Sequence, residues 1–299
     1  MSRLPNFLVI GVAKAGTTAL YEHLRAHPDV FMSGVKEPNF FSHDPDAERP
    51  VVEIDPPVAE LDDYRALFEG ACTQTAVGEA SPRYFHSRLA LERIEALLPS
   101  ARIVAMLRQP VERAYSHYLH MLNSRVFEHR PFEDFFREKA RTVETWGSEP
   151  FACYGFNLSF YYDALRRYRE RFPDERMRVY LFEDYAADPR PLLADLYRFL
   201  GVDDQFVPEL DERHNPTYGV PKSAVLHRVL MQRNGFKAAA RRVVPPAARA
   251  KIAALLLRRN RTPKPALSRS LRDEFTEVYR DDILKTQALL DRDLSSWLP

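Results

Sequence analysis

Apolar residues in this chain fall into short continuous runs, separated by longer stretches in which they recur at helical spacing. Phe7-Leu-Val-Ile10 is one such run and predicts a buried strand. Gly11 to Gly16 predicts a tight loop. Thr17 to about His27 predicts a helix with Leu20 and Leu24 on one face. Further strands are predicted at Val30-Phe-Met32, Thr75-Ala-Val-Gly78, Arg102-Ile-Val-Ala-Met-Leu107 and Met177 to Phe182. Helices are predicted over Leu61–Glu69, Leu89–Leu98, Val111 to about Leu122, Phe132–Ala140, Ser159–Phe172 and Pro191–Leu200. A long final helix is predicted from Ser268 to about Asp291. The Asp-, Pro- and Glu-rich residues 43–60 read as an exposed excursion, and 203–221 as loop. Strands alternating with helices over the whole length predict an α/β domain. Its central, mainly parallel sheet would be covered by helices on both faces.

In such a sheet, ligands gather beyond the carboxyl ends of the strands. Four segments follow predicted strand ends: Gly11–Thr18, Lys36-Glu37, Glu79–Tyr84 and Arg108. All four are expected on one rim. The first is an anion cradle by construction. Loop amides and the first-turn amides of the helix point at one place, where the helix dipole favours negative charge. Thr17 and Thr18 add hydroxyls, and Lys14 adds an ammonium. Gly11 and Gly16 keep the spacing of a Walker loop, G-x-x-x-x-G-K-[ST], but Thr17 stands where the lysine belongs. The lysine has moved inside the loop, nearer the helix N-terminus. Arg108, with Ser116 eight residues on, forms a second anion site from a bidentate fork and a short donor. Two separated sites suit a ligand with two anionic ends better than a nucleoside triphosphate with one.

Composition changes this picture little. With 299 residues, 45% hydrophobic and 28% charged, the chain reads as a globular protein. No apolar run approaches the ~20 residues of a membrane span, and no signal-peptide core precedes the first strand. Cys72 and Cys153 are too few for a disulfide framework, so a cytoplasmic setting is expected. No metal site and no nucleic-acid partner are expected. Charge matters locally. Residues 222–264 carry 12 Lys and Arg and no Asp or Glu. This basic helical segment could be a lid, an acceptor-side element or a contact for a membrane surface or polyanion, or a solvated face serving solubility.

Four segments together carry a family resemblance. Val12-Ala-Lys-Ala-Gly-Thr-Thr-Ala-Leu20, Lys36-Glu-Pro-Asn-Phe-Phe41, Glu79-Ala-Ser-Pro-Arg-Tyr-Phe85 and Leu107-Arg-Gln-Pro-Val-Glu-Arg-Ala-Tyr-Ser-His-Tyr118 resemble the successive motifs of the sulfotransferases that use 3′-phosphoadenylyl sulfate (PAPS). The heparan-sulfate N- and O-sulfotransferase branch is the most similar. The likeness continues weakly through Phe182-Glu-Asp-Tyr185 to Asp293-Leu-Ser-Ser-Trp-Leu298, so it covers residues 1–299 as a single domain. It implies a P-loop-like fold with a parallel sheet of about five strands, PAPS as co-substrate, and 3′-phosphoadenosine 5′-phosphate (PAP) as product. By position, Lys14, Ala15, Gly16, Thr17, Thr18 and Ala19 would hold the 5′-phosphosulfate. Arg108 and Ser116 would hold the 3′-phosphate. Glu37 would be the general base toward a hydroxyl or amine acceptor, with a carbohydrate expected, and Lys14 would assist the leaving group. Arg261 and Lys264 are the nearest match to a late nucleotide-gripping loop, which has no clean Lys-Gly-Arg copy here. Ala80 stands where some 3-O-sulfotransferases have a lysine.

Other readings stay open. Glu37 could simply pair with Lys36. His43 and His86 are expected on the acceptor side of the rim; His117 and His120 share a helix face and could line the cleft or pack. Tyr84, Phe85, Phe40 and Phe41 could face a sugar or the core. The whole chain could instead be a P-loop-type small-molecule kinase, or a non-catalytic polyanion- or membrane-binding protein of the same fold.

Overall fold

A computed structural model describes residues 4–44, 58–124, 131–140, 155–208, 222–223, 255–256, 259–260, 262 and 264–299. Most of the basic segment 222–264, Arg261, Cys153 and most of the 43–60 excursion lie outside the described residues. Five strands form one parallel sheet: β1 Phe7–Gly11, β2 Val30–Met32, β3 Ala76–Ala80, β4 Arg102–Leu107 and β5 Met177–Leu181, in the order β2-β3-β1-β4-β5. β1 is central and buried at every residue, which is why it reads as an unbroken apolar run. Each large apolar side chain so buried contributes about 1.5–3 kcal/mol.

Helix α1 (Thr17–Ala26) follows β1, and α2 (Leu61–Ala66) precedes β3. Next come α3 (Arg88–Leu97), α4 (Pro110–Ser124), α5 (Phe132–Ala140), α6 (Tyr162–Arg169), α7 (Phe182–Ala187), α8 (Pro189–Leu200) and α9 (Arg269–Leu290). Caps explain many boundaries. Ser87 accepts from the Ala90 amide at 3.0 Å to start α3, and Ser268 accepts from Leu271 at 3.3 Å to start α9. Asp188, followed by Pro189 at the first helical position, starts α8, and Gly201 at φ 77° ends it.

The predicted boundaries shift in three places. β3 runs on to Ala80, so Glu79 lies in the strand rather than in a rim loop. Phe182 opens α7 instead of ending β5. The helix predicted over 159–172 narrows to α6, because Asp282 of α9 accepts from the Tyr161 and Tyr162 amides at 2.7 and 3.2 Å and fixes its start there. That carboxylate docks α9 onto the start of α6. Among the described residues, no helix is long and apolar enough to cross a membrane.

Candidate active site

The loop after β1 is shaped by three constraints. The Val12 amide bonds to Met106 O at 2.8 Å, and the Ala15 amide turns back to Val12 O at 3.1 Å. Lys14 takes a left-handed φ of 74°, a conformation that costs about 1–2 kcal/mol for a residue with a Cβ. Gly16 sits at φ 90° against Phe182, where a Cβ would lie 2.9 Å from Cδ2. Only glycine fits both the angle and the contact. Gly16 is also the N-cap of α1. No side chain caps that helix, and no acidic residue lies in its first turn. Its first amides, beside Thr17 and Thr18, are left to an anion.

Two guanidiniums hold this loop. Arg108, one residue past β4, donates to Lys14 O at 3.1 Å. Its Cζ lies 4.4 Å from the Phe182 ring centroid. Arg113, on α4 and fully buried, donates to Ala13 O at 3.3 Å and to Ser159 Oγ at 2.6 Å. The two predicted anion sites therefore share a wall. Burial, reinforced by Arg108 and opposed by Glu37, brings the Lys14 pKa down from 10.5 to about 8. Ser116, farther along α4, is fully buried, so no exposed hydroxyl stands beside Arg108 at that position.

The start of α4 is built for the same purpose. Gln109 caps it, its Oε1 accepting from the Glu112 amide at 2.8 Å, with Pro110 at the first helical position. Glu183 of α7 accepts from the Gln109 amide at 2.9 Å, and Tyr161 donates to Arg108 O at 2.7 Å. Glu112 then bridges two cations. It lies 3.7 Å from Arg108 and takes a 2.7 Å hydrogen bond from Lys264. Burial would raise the Glu112 pKa, but Lys264 and Arg108 outweigh it and the net shift is downward. Lys264, 152 positions along the chain from Glu112, is thus brought beside Arg108.

Glu37 sits on the loop after β2, itself left-handed at φ 60°, with Asn39 at φ 55°. Its amide bonds to Ala80 O at 3.1 Å, which puts the second loop on the third. Its Oε1 accepts from Lys36 Nζ, so the alternative reading of this carboxylate, an ion pair with Lys36, is present in the structure. The Glu37 carboxylate also acts on the Lys14 ammonium, holding its pKa up against burial. The four predicted rim segments do converge.

The histidines divide differently from expectation. His86 is held inward by Leu158 O at 3.1 Å, and burial drops its pKa to about 3. Its side chain is half-buried. His120 is exposed on α4; desolvation, with Lys14 adding and Glu37 opposing, lowers its pKa to about 4. His117 is buried beside Arg113, and neither ring nitrogen has a hydrogen-bond partner among the described residues. Tyr84, Phe85 and Phe41 are at most 1% exposed and belong to the core. Phe40 stacks on Tyr64 at 4.4 Å. Among the described residues, no cluster of three or more His, Cys, Asp or Glu is placed to hold a metal ion.

Sequence reasoning assigned no role to Arg113, Glu112 or Glu79. Their motif was visible, but not that their side chains turn inward.

Comparison with known proteins gives a consistent result. The sulfotransferase domain family matches residues 4–218. Human heparan sulfate glucosamine 3-O-sulfotransferase 3B1 is 30% identical over 224 residues, 73% of this chain and 51% of that protein. Human bifunctional heparan sulfate N-deacetylase/N-sulfotransferase 3 is 30% identical over 210 residues, 67% of this chain and 22% of that protein. The chain thus matches about half, or less, of the length of these curated relatives. Among solved structures, a sulfotransferase from Alicyclobacillus acidocaldarius superposes with a TM-score of 0.72 at 27% identity, covering 99% of both chains.

Proposed function

The chain belongs to the sulfotransferase domain family, and from that premise we propose that it moves a sulfuryl group from PAPS to a hydroxyl or amine of a carbohydrate. The observation that carries this reading is the Arg108 to Lys14 O contact, which joins the two halves of an anion site at one rim. PAPS has a 5′-phosphosulfate and a ribose 3′-phosphate, and two groups of residues at the rim support a place for each. The open amides of α1, with Thr17, Thr18 and Lys14, suit the first. Arg108, with Lys264 tied to it through Glu112, suits the second. The carbohydrate acceptor is suggested by the heparan sulfate relatives.

Sulfuryl transfer, like phosphoryl transfer, asks mostly for alignment and charge stabilisation. Lys14 carries its ammonium to where charge develops on the leaving phosphate as the S–O bond breaks. Glu37 takes the proton from the acceptor hydroxyl or amine as the new bond to sulfur forms. Lys36 pairs with that carboxylate. His120, neutral and exposed, is available to hydrogen-bond an acceptor. Incubation with PAPS and heparan sulfate, or its N-desulfated form, tests the reading. PAP release coupled to sulfate gain on the polysaccharide supports it. ATP-dependent phosphate gain, with none from PAPS, replaces it with the kinase reading.

A further inference from the structure

Arg113 is a fully buried arginine that the proposed chemistry does not use. Two of its contacts run to different elements. Nη1 donates to Ala13 O at 3.3 Å, and Nε donates to Ser159 Oγ at 2.6 Å. Ser159 is itself fully buried, and its hydroxyl donates to Pro110 O at 2.8 Å. That commits its one proton, so toward Arg113 the hydroxyl accepts. The guanidinium is therefore fixed through Ser159 to the start of α4, and through Ala13 O to the loop after β1. Arg108 holds the next carbonyl of that loop, Lys14 O, at 3.1 Å. The two arginines thus grip the peptides on either side of the Lys14 Cα, which stands at a left-handed φ of 74°.

We propose that Arg113 is a positioning residue for the phosphosulfate: it holds Ala13 O on one edge of the Ala13–Lys14 peptide and so presents the Lys14 amide, on the opposite edge, to the anion. A planar trans peptide points its carbonyl and its N–H in opposite directions, so fixing one aims the other. Val12 O already takes the neighbouring Ala15 amide at 3.1 Å. The Lys14 amide has no acceptor among the described residues. It stands two residues before Gly16, the left-handed N-cap of α1, and joins the open first amides of that helix. Backbone amides next to left-handed residues form concave anion sites. The planar fork of an arginine reaches two oxygens in different directions, whereas a lysine ammonium is a single point charge. The inference rests on the reading of this loop as the phosphosulfate cradle.

Amide hydrogen exchange of the full chain, read residue by residue by NMR with saturating PAP or with inorganic pyrophosphate, tests this. In the unmodified protein PAP is expected to slow exchange at Lys14, Thr17 and Thr18 at least about tenfold. In Arg113→Lys the slowing at Lys14 is expected to vanish. That at Thr17 and Thr18 should remain, with Val9 and Val104 in the sheet still protected. PAP affinity is expected to fall about tenfold, the worth of one hydrogen bond to a charged group. Ser159→Ala keeps the arginine but removes one anchor, and should lose part of the slowing at Lys14. It decides the matter if Arg113→Lys loses protection across the sheet; undiminished slowing at Lys14 then overturns the inference. Slowing at Lys14 that persists in a folded Arg113→Lys protein, or that neither ligand produces in the unmodified protein, also overturns it. If PAP still protects Thr17 and Thr18 in that case, the donor reading stands without it. Slowing at Lys14 by pyrophosphate but not by PAP, lost in Arg113→Lys, upholds the role of Arg113 and removes the nucleotide reading.

Discussion

The Arg108 guanidinium donates to the carbonyl of Lys14, 94 positions earlier, at 3.1 Å. One cation from the end of β4 thereby sets the backbone of the loop after β1. Because that loop places the only lysine of the cradle, the two anion sites act as one unit. A fork is needed for this: one arm is spent on the carbonyl, and the rest of the guanidinium remains for a ligand.

Arg108→Lys keeps the charge but loses the fork. It is expected to weaken PAP binding about ten- to a hundredfold, the worth of one hydrogen bond to a charged group. Adenosine 5′-phosphosulfate, which lacks the 3′-phosphate, should lose much less. Titration calorimetry of both ligands on both proteins checks this, and equal losses would mean that Arg108 acts only on the loop.

Lys14 has a pKa of about 8 with no anion beside it. Below that pH it is charged and attracts the phosphosulfate; above it the ammonium loses its proton. A bound anion raises the pKa again, so binding takes up protons. PAP affinity is expected to be steady below about pH 7 and to fall above pH 8, by up to about tenfold per unit. Lys14→Met should bind weakly at every pH and abolish the slope. Calorimetry in buffers of different ionisation enthalpy measures the protons taken up.

Glu37→Gln is expected to lower kcat by roughly 10²–10⁴-fold, the usual contribution of a general base. PAP affinity should stay within about twofold, since the nucleotide is held by other residues. If kcat stands and only the KM for acceptor rises, Glu37 is a binding residue and its pairing with Lys36 is its main role.

Gly16→Ala places a Cβ 2.9 Å from Phe182 Cδ2 and forces a left-handed alanine at φ 90°. The backbone alone costs about 1–2 kcal/mol. Relief comes by moving the loop, so PAP binding should fall more than thermal stability does. Gly16→Ala with Phe182→Ala removes the contact but not the strain, and should recover only part of the affinity.

Much of this architecture was legible from local pattern. β1 is apolar at every position because both faces of the sheet are covered, and its glycine loop follows at once. Gln109-Pro110 marks the start of α4 by cap chemistry, and Ser268 and Asp291 bracket α9 as the pattern required. The polar residues that turn inward were harder to read. Arg113 looks like any helical arginine until Ala13 O and Ser159 Oγ are seen to receive it. Glu79 reads as a rim carboxylate until β3 is seen to extend past it. His86 is another side chain whose direction the sequence did not show. A loop residue points wherever a distant carbonyl draws it, here Leu158 O, whereas His120 follows the phase of α4. Such directions are set by contacts far along the chain, which periodicity does not carry.

The two-ended grip is tested most directly by calorimetry of the unmodified protein with PAP and with ADP at pH 7. ADP has the same adenosine and a 5′-diphosphate but no 3′-phosphate. The account predicts PAP binding at least about a hundredfold tighter than ADP, from the charge-assisted bonds at Arg108 and its neighbours. Equal affinity for the two, or tighter ADP binding, would contradict it.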